Sequence, residues 1–221
     1  MKKIVVYLCL VSLALMNSCL GASADIVIRG DGSGKITLEY RVSQMLESMG
    51  RLDGNKRWPA IPVGKADFER SLARIPGLRL SSFSSKEAGG ASGGIRSGRS
   101  GDLVTRVTLE FKDTAALLAF LDSTGSHASL VQGPSSTTLR LVLLDPSTDT
   151  LDADLLSLLR EISAGYEMSL SFSTPKNAVL SLLPPSVTAA RIVPQGRKVS
   201  FAIGMGDLIG LEDGLIVEVT W

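Results

Sequence analysis

The chain of 221 residues is poor in the side chains that most reaction chemistry uses, with one histidine, His127, and two cysteines, Cys9 and Cys19. A triad hydrolase needs a base within reach of its nucleophile, so His127 is the one imidazole available for that work. Zinc sites draw on several Cys and His ligands, which this composition does not supply. Cys9 lies inside an apolar N-terminal run, so loss of that run leaves one thiol at most and no intramolecular disulfide. Aromatic residues make up 5% of the chain and the formal net charge is +1, which provides neither stacking platforms nor a basic field for nucleic acid. Past the N-terminus, no apolar run reaches the roughly 20 residues of a membrane-spanning helix.

What is present begins at the N-terminus. Lys2 and Lys3 precede residues 4–16, which are apolar apart from Ser12. That charge and length pattern is the one expected of a secretory signal, too short to span a bilayer. Two exits follow. Met16-Asn17-Ser18-Cys19 reads as a loose lipobox, giving a signal peptide at 1–18, a lipid-bearing Cys19 and a short tether over 19–24. Ala22-Ser23-Ala24 is a small-x-small site, and cleavage after 24 would release a soluble secreted protein starting at Asp25. The first exit predicts a membrane-anchored protein facing the periplasm or the cell surface. Without Lys2 and Lys3 the basic count falls from 23 to 21 against 22 acids.

Strict alternation dominates the rest. Ile36, Leu38, Tyr40 and Val42 alternate with polar residues, as do Leu103, Thr105, Val107, Leu109 and Phe111. The pattern returns at Leu139 to Leu143, Tyr166 to Phe172, Val199 to Met205 and Leu215 to Trp221, whose last residue shares the core parity. Period two marks strands buried on one side, hence a mainly antiparallel sheet. Helical spacing predicts helices through Val42, Met45, Leu46 and Met49, through Phe68, Leu72 and Ile75 until Pro76-Gly77, after an N-cap at Asp113, and from Thr150 or Asp152 through Ile162. The turns Asp31-Gly32-Ser33-Gly34 and Gly133-Pro134-Ser135-Ser136 predict hairpins. Residues 84–101, rich in Gly and Ser, read as a long loop between two strands. The expected fold is therefore α+β, a two-layer sandwich of a mainly antiparallel sheet with helices packed on one face, in a single domain over 25–221. Its final two strands are expected to pair.

Several motifs invite a catalytic reading. Gly30-Asp31-Gly32-Ser33-Gly34-Lys35 resembles a phosphate-cradling loop, but a Walker loop opens a helix, whereas Lys35 opens an alternating strand. Gly90-Ala91-Ser92-Gly93-Gly94 matches Gly-x-Ser-x-Gly without the strand-to-helix setting a nucleophile elbow requires. His127 falls at a helix-to-strand junction, where a solvent-facing or capping role is the default. Asp145, Asp149, Asp152 and Asp154 lack the Gly and closing Glu of a calcium loop and read as turn and capping residues. No spacing singles out a carboxylate pair for glycoside chemistry. We expect no catalytic residue, no metal and no cofactor.

Residues with a contact role remain. Arg96 and Arg99 sit in the Gly-rich loop, in reach of anionic head groups if that loop lies near an anchored end. Lys56, Arg57, Arg70, Arg74 and Arg79 form a second cluster of cations. Trp58 beside Pro59 is a candidate partner anchor or a lid on the core. An apolar cavity of roughly a few hundred Å³ between the layers would point to carriage of a lipid or small molecule, and a filled core to surface contacts.

The Cys-bearing leader, the first hairpin written Ile-x-x-Asp-Gly-Ser-Gly-Lys-Ile-x-Leu from Ile28 to Leu38, and the ending Gly-Leu-Ile-Val-Glu-Val-Thr-Trp resemble small bacterial envelope lipoproteins, in particular LppM-type domains and spirochaetal lipoproteins. Asn17 likewise resembles the relaxed lipoboxes of spirochaetes. The resemblance implies an α+β envelope domain and carries no catalytic residue with it. The expected function is an exported, lipid-anchored envelope protein with a non-enzymatic binding or structural role, held by the membrane through its N-terminal lipid and meeting envelope lipid, polymer or protein but no nucleic acid. A secreted carboxylate-dependent hydrolase and a surface-exposed host-contact protein are the alternatives.

Overall fold

The computed structural model describes residues 21–43, 65–88, 102–122, 127–146, 153–163 and 165–221. Eleven strands among them form two sheets. The larger joins β1 (Ala22–Ile28), β2 (Gly34–Ser43), β3 (Leu78–Ala88), β4 (Asp102–Phe111), β7 (Glu167–Ser173), β9 (Arg191–Gln195) and β10 (Lys198–Gly204), in the spatial order β3-β4-β2-β1-β7-β10-β9. The smaller joins β5 (Ala128–Gln132), β6 (Thr137–Leu144), β8 (Val179–Leu183) and β11 (Leu215–Thr220), in the order β5-β6-β11-β8. Helices α1 (Lys65–Leu72), α2 (Thr114–Leu121), α3 (Ala153–Ile162) and the short α4 (Met205–Ile209) stand between strands. Every strand pair is antiparallel except β1 with β7. The fold is a strand-rich α+β fold, mainly antiparallel as expected.

Alternation places the core. Ile26, Ile36, Val107, Leu109, Phe172 and Phe201 of the larger sheet are buried and join Leu139, Leu141, Val217 and Val219 of the smaller one in a single apolar cluster. Phe68 and Leu72 of α1, Leu117 of α2 and Leu208 of α4 complete it. Trp221 packs against the cluster and exchanges backbone hydrogen bonds with Thr137 at 2.8 and 3.0 Å. The Asp113 carboxylate accepts from the Ala116 amide at 2.9 Å, the expected N-cap of α2.

Four expectations change. Ala22, Ser23 and Ala24, read as tether, are the first three residues of β1, paired with Tyr40, Glu39 and Leu38 on one side and Met168, Ser169 and Leu170 on the other. Val42, read both as the end of the alternating strand and as the start of a helical stripe, belongs to β2, which pairs with β4 as far as Ser43 and Asp102; Met45, Leu46 and Met49 lie outside the described residues. Residues 84–88, read as the start of the Gly-rich loop, belong to β3, which runs on to Ala88 against β4, and 89–101 lie outside the described residues. The last two alternating strands do not pair, because β10 joins β7 and β9 while β11 inserts between β6 and β8.

Where β1 begins, Tyr40 packs its ring 6.4 Å from that of Phe68, which in turn lies 5.8 Å from Phe83. Burial pushes the Tyr40 phenol up to about 12, against a hydrogen bond with Thr105 that lowers it. The folded state holds this proton more tightly than the unfolded chain, so the contribution is intact below about pH 10 and lost as pH rises toward 12. Urea midpoints of the wild type should fall across that window, and Tyr40→Phe should flatten the fall; equal slopes would contradict the assignment.

Candidate functional site: a basic groove at one end of the larger sheet

The register fixes two ends of the larger sheet. At one, Ala22, Tyr40, Met168, Ala88 and Asp102 lie close to the strand termini; at the other, Ile28 meets Gly34, Gly34 meets Phe111 and Phe111 meets Leu78. This second end carries an open groove of about 390 Å³, lined by Arg29, Gly34, Gly77, Leu78, Arg79, Glu110, Phe111 and Lys112. That volume lies within the roughly 300–1,000 Å³ of small-molecule sites.

Its charges come from outward positions brought level by the ladders. Lys35 of β2 and Arg79 of β3 both oppose Glu110 of β4. The Arg79 Nε donates to Glu110 Oε2 at 2.9 Å, a second Arg79 nitrogen reaches the same oxygen, and Lys35 Nζ lies 3.5 Å from Oε1. The Arg79 guanidinium, foremost, holds the Glu110 carboxyl below the usual carboxylate range. In the adjoining turn Asp31 Oδ1 accepts from the Ser33 hydroxyl at 2.7 Å and the Ser33 amide at 3.0 Å, and the hydroxyl bond leads in holding its carboxyl low. Arg29 donates to Ser33 Oγ at 3.2 Å, and Lys112 Nζ lies 3.9 Å from an Asp113 carboxylate that also caps α2. Among the described residues the groove is thus lined by the cations Arg29, Arg79 and Lys112 and by one acid, Glu110, which is already engaged. Such a surface receives anionic oxygens, because charge-assisted N–H donors are stronger than neutral ones.

A second concavity lies between the sheets. It holds about 100 Å³, is lined by Ala24, Ile26, Leu38, Phe120, Leu141 and Leu170 among others, and has His127 on its lining. This is short of the few hundred Å³ that carriage of a lipid would need. His127 stands at the junction of α2 and β5, as its sequence position indicates. Its Nε2 lies 3.0 Å from Asp145 Oδ2, and its amide and that of Ala128 donate to Asp122 Oδ2 at 2.8 and 3.0 Å. Asp145 is therefore a hydrogen-bond partner of the histidine rather than the turn or capping residue read from sequence. Of the other acids in that run, Asp154 opens α3, while Asp149 and Asp152 lie outside the described residues.

Cys19, Trp58, Arg96, Arg99 and Ser92 all lie outside the described residues, as do Lys56 and Arg57. Among the described members of the second cation cluster, Arg79 joins the groove, and Arg70 turns back to the Ala66 carbonyl of its own helix at 3.3 Å. Arg29, Glu110 and Lys112 escaped sequence reading because charges on the outward side of a strand, or just past its end, look like ordinary solvated positions. Among the described residues no group of three or more His, Cys, Asp or Glu is gathered to hold a metal ion, and no helix is long and apolar enough to cross a membrane. Compared with protein-family models, curated proteins and solved structures, the chain matches none of them.

Proposed function

We propose that the chain is an exported protein anchored to a membrane by lipid on Cys19, with a non-enzymatic binding role toward anionic ligands. The observation that carries the anchoring is the start of β1. Cleavage before Cys19 leaves this central strand whole, whereas cleavage after Ala24 removes three of its seven residues. A maturation site inside the middle strand of a sheet leaves the groups facing it on β2 and β7 without partners. The intact mass of the mature protein tests this: diacylglyceryl-modified Cys19 at the N-terminus is expected, and unmodified Asp25 would overturn the anchoring.

The binding role is supported by the groove and its excess of cations. We read the smaller sheet and the helices as one layer over the apolar face of the larger sheet, an arrangement that leaves the groove open at the sheet's end. Arg96 and Arg99 belong to the same proposal as envelope contacts, since Ala88 and Asp102, the residues flanking 89–101, pair at the end where β1 begins. Trp58 is kept in the same proposal as a partner contact, on its sequence beside Pro59 alone. Calorimetric titration with pyrophosphate should give weak binding to the wild type, lowered at least tenfold, about 1.4 kcal/mol, in Arg29→Ala/Lys112→Ala. An unchanged affinity in the double variant, or none in the wild type, would sink the ligand class.

A further inference from the structure

The topology carries more than a choice between cleavage sites. We infer that the end of the larger sheet at which β1 begins is a membrane-contact surface, laid directly against the head groups of the bilayer that holds the anchor. The inference rests on lipidation of Cys19. From there the chain has only Leu20 and Gly21 before it enters β1. Two residues span about 7 Å at full extension, comparable to the thickness of one polar head-group layer, roughly 5–7 Å. No stalk separates the fold from the lipid, so the sheet end that receives the tether reaches the interface.

The residues at this exit suit that contact. The Gly21 carbonyl accepts a hydrogen bond from the Arg41 amide at 3.0 Å, which fixes the direction in which the chain enters the sheet. A side chain on Gly21 would meet the Tyr166 ring at 3.6 Å, the Arg41 stem at 3.9 Å and the Glu167 carbonyl at 3.9 Å. A tyrosine and an arginine therefore flank the point of entry, the residue types that settle at a membrane interface with an apolar body inward and a polar tip toward head groups. Lys86, exposed on β3 two residues before its end, adds a cation on the same side, and the carboxylate of Glu167 is answered by Arg191 at 3.7 Å. Arg41 and Lys86 are placed to meet lipid phosphates.

The opposite end follows by geometry. β1 runs seven residues from Ala22 to Ile28, about 20 Å at the rise of a strand. The groove of Arg29, Arg79 and Lys112 lies at the far end of that strand. It is held beyond a Debye length of roughly 8–10 Å from the membrane charge, open to ligands in the aqueous space.

Site-directed spin labelling of the full-length lipidated protein tests the orientation. Cys19 is blocked by lipid and Cys9 leaves with the signal, so single cysteines can be added at Glu167→Cys and Lys86→Cys near β1's start and at Asp31→Cys beyond its end. The protein is reconstituted in phosphatidylcholine–phosphatidylglycerol vesicles containing a nickel-chelating lipid. Labels at 167 and 86 should relax several-fold faster than the label at 31. Equal relaxation at all three sites, with flotation intact and diacylglyceryl-Cys19 confirmed by mass, would overturn the orientation while leaving the anchor standing. An unmodified terminus would overturn both, so the two failures are distinguishable.

Discussion

A chain engineered to begin at Asp25 is expected to unfold at markedly lower urea than one beginning at Gly21. The shorter chain loses the pairs of Ala22, Ser23 and Ala24 with Leu38, Glu39 and Tyr40 and with Met168, Ser169 and Leu170. β1 is the fourth of seven strands, so the gap opens in the middle of the sheet, where water reaches the orphaned amides and carbonyls poorly. Orphaned groups arise on both β2 and β7, at about 1–3 kcal/mol each, against about 1–2 kcal/mol of backbone ordering no longer spent on each of the three removed residues. A new ammonium at Asp25 adds a charge between β2 and β7. The expected loss is about 3 kcal/mol, a shift of roughly 1–2 M in the urea midpoint. Coincident midpoints would remove the fold-based reason for preferring Cys19 as the mature terminus.

Gly34→Ala is expected to be comparably damaging, while Gly30→Ala should be nearly silent. A Cβ on Gly34 would stand 1.9 Å from the Val27 carbonyl oxygen and 2.3 Å from Phe111 Cζ. Phe111 is buried and Val27 is held in the central strand, so neither can step aside without opening the β1–β2 or β2–β4 ladder. Overpacking alone costs about 1–3 kcal/mol, and a strained ladder adds to it, so about 3 kcal/mol or more is expected. At Gly30 nothing lies within 4 Å, and a change within about 0.5 kcal/mol is expected from its exposed position. Gly32, at φ +82°, is the turn glycine, where alanine should cost about 1–2 kcal/mol. Thermal or urea denaturation of the three variants checks the ranking. If Gly30 and Gly34 tolerate alanine equally, the close approach of Phe111 to β2 is wrong.

That ranking also shows what a motif conceals. The run from Gly30 to Lys35 looks like a phosphate loop by composition, yet its glycines serve an open position, a turn and a packing contact, and Lys35 faces Glu110 across the sheet. Alternation made β2, β4, β6, β7, β10 and β11 legible, because a half-buried strand writes its two faces into sequence. It could not reveal partners, since β10 and β11 carry the same period and end in different sheets. β9 left no trace, because all five of its residues are exposed and Pro194 occupies the edge. α4 spans five residues, too few for a helical stripe. The groove was the least legible feature. Arg29, Arg79 and the run from Glu110 to Lys112 lie on separate segments, and only the pairing of β1, β2, β3 and β4 brings them to one place.

The parallel pairing of β1 with β7 bears on how the molecule carries load. A pull applied at Gly21 along the strand axis meets the ladder of seven residue pairs with β2 and the ladder of six with β7 at once. Both ladders are stressed in shear, their hydrogen bonds lying across the direction of force, rather than unzipped one pair after another from a sheet edge. The strand that follows Gly21 is thus gripped from both sides along nearly its whole length. Load applied at that terminus enters through the centre of the larger sheet, and the mechanical yield point lies deep in the sheet instead of at its rim.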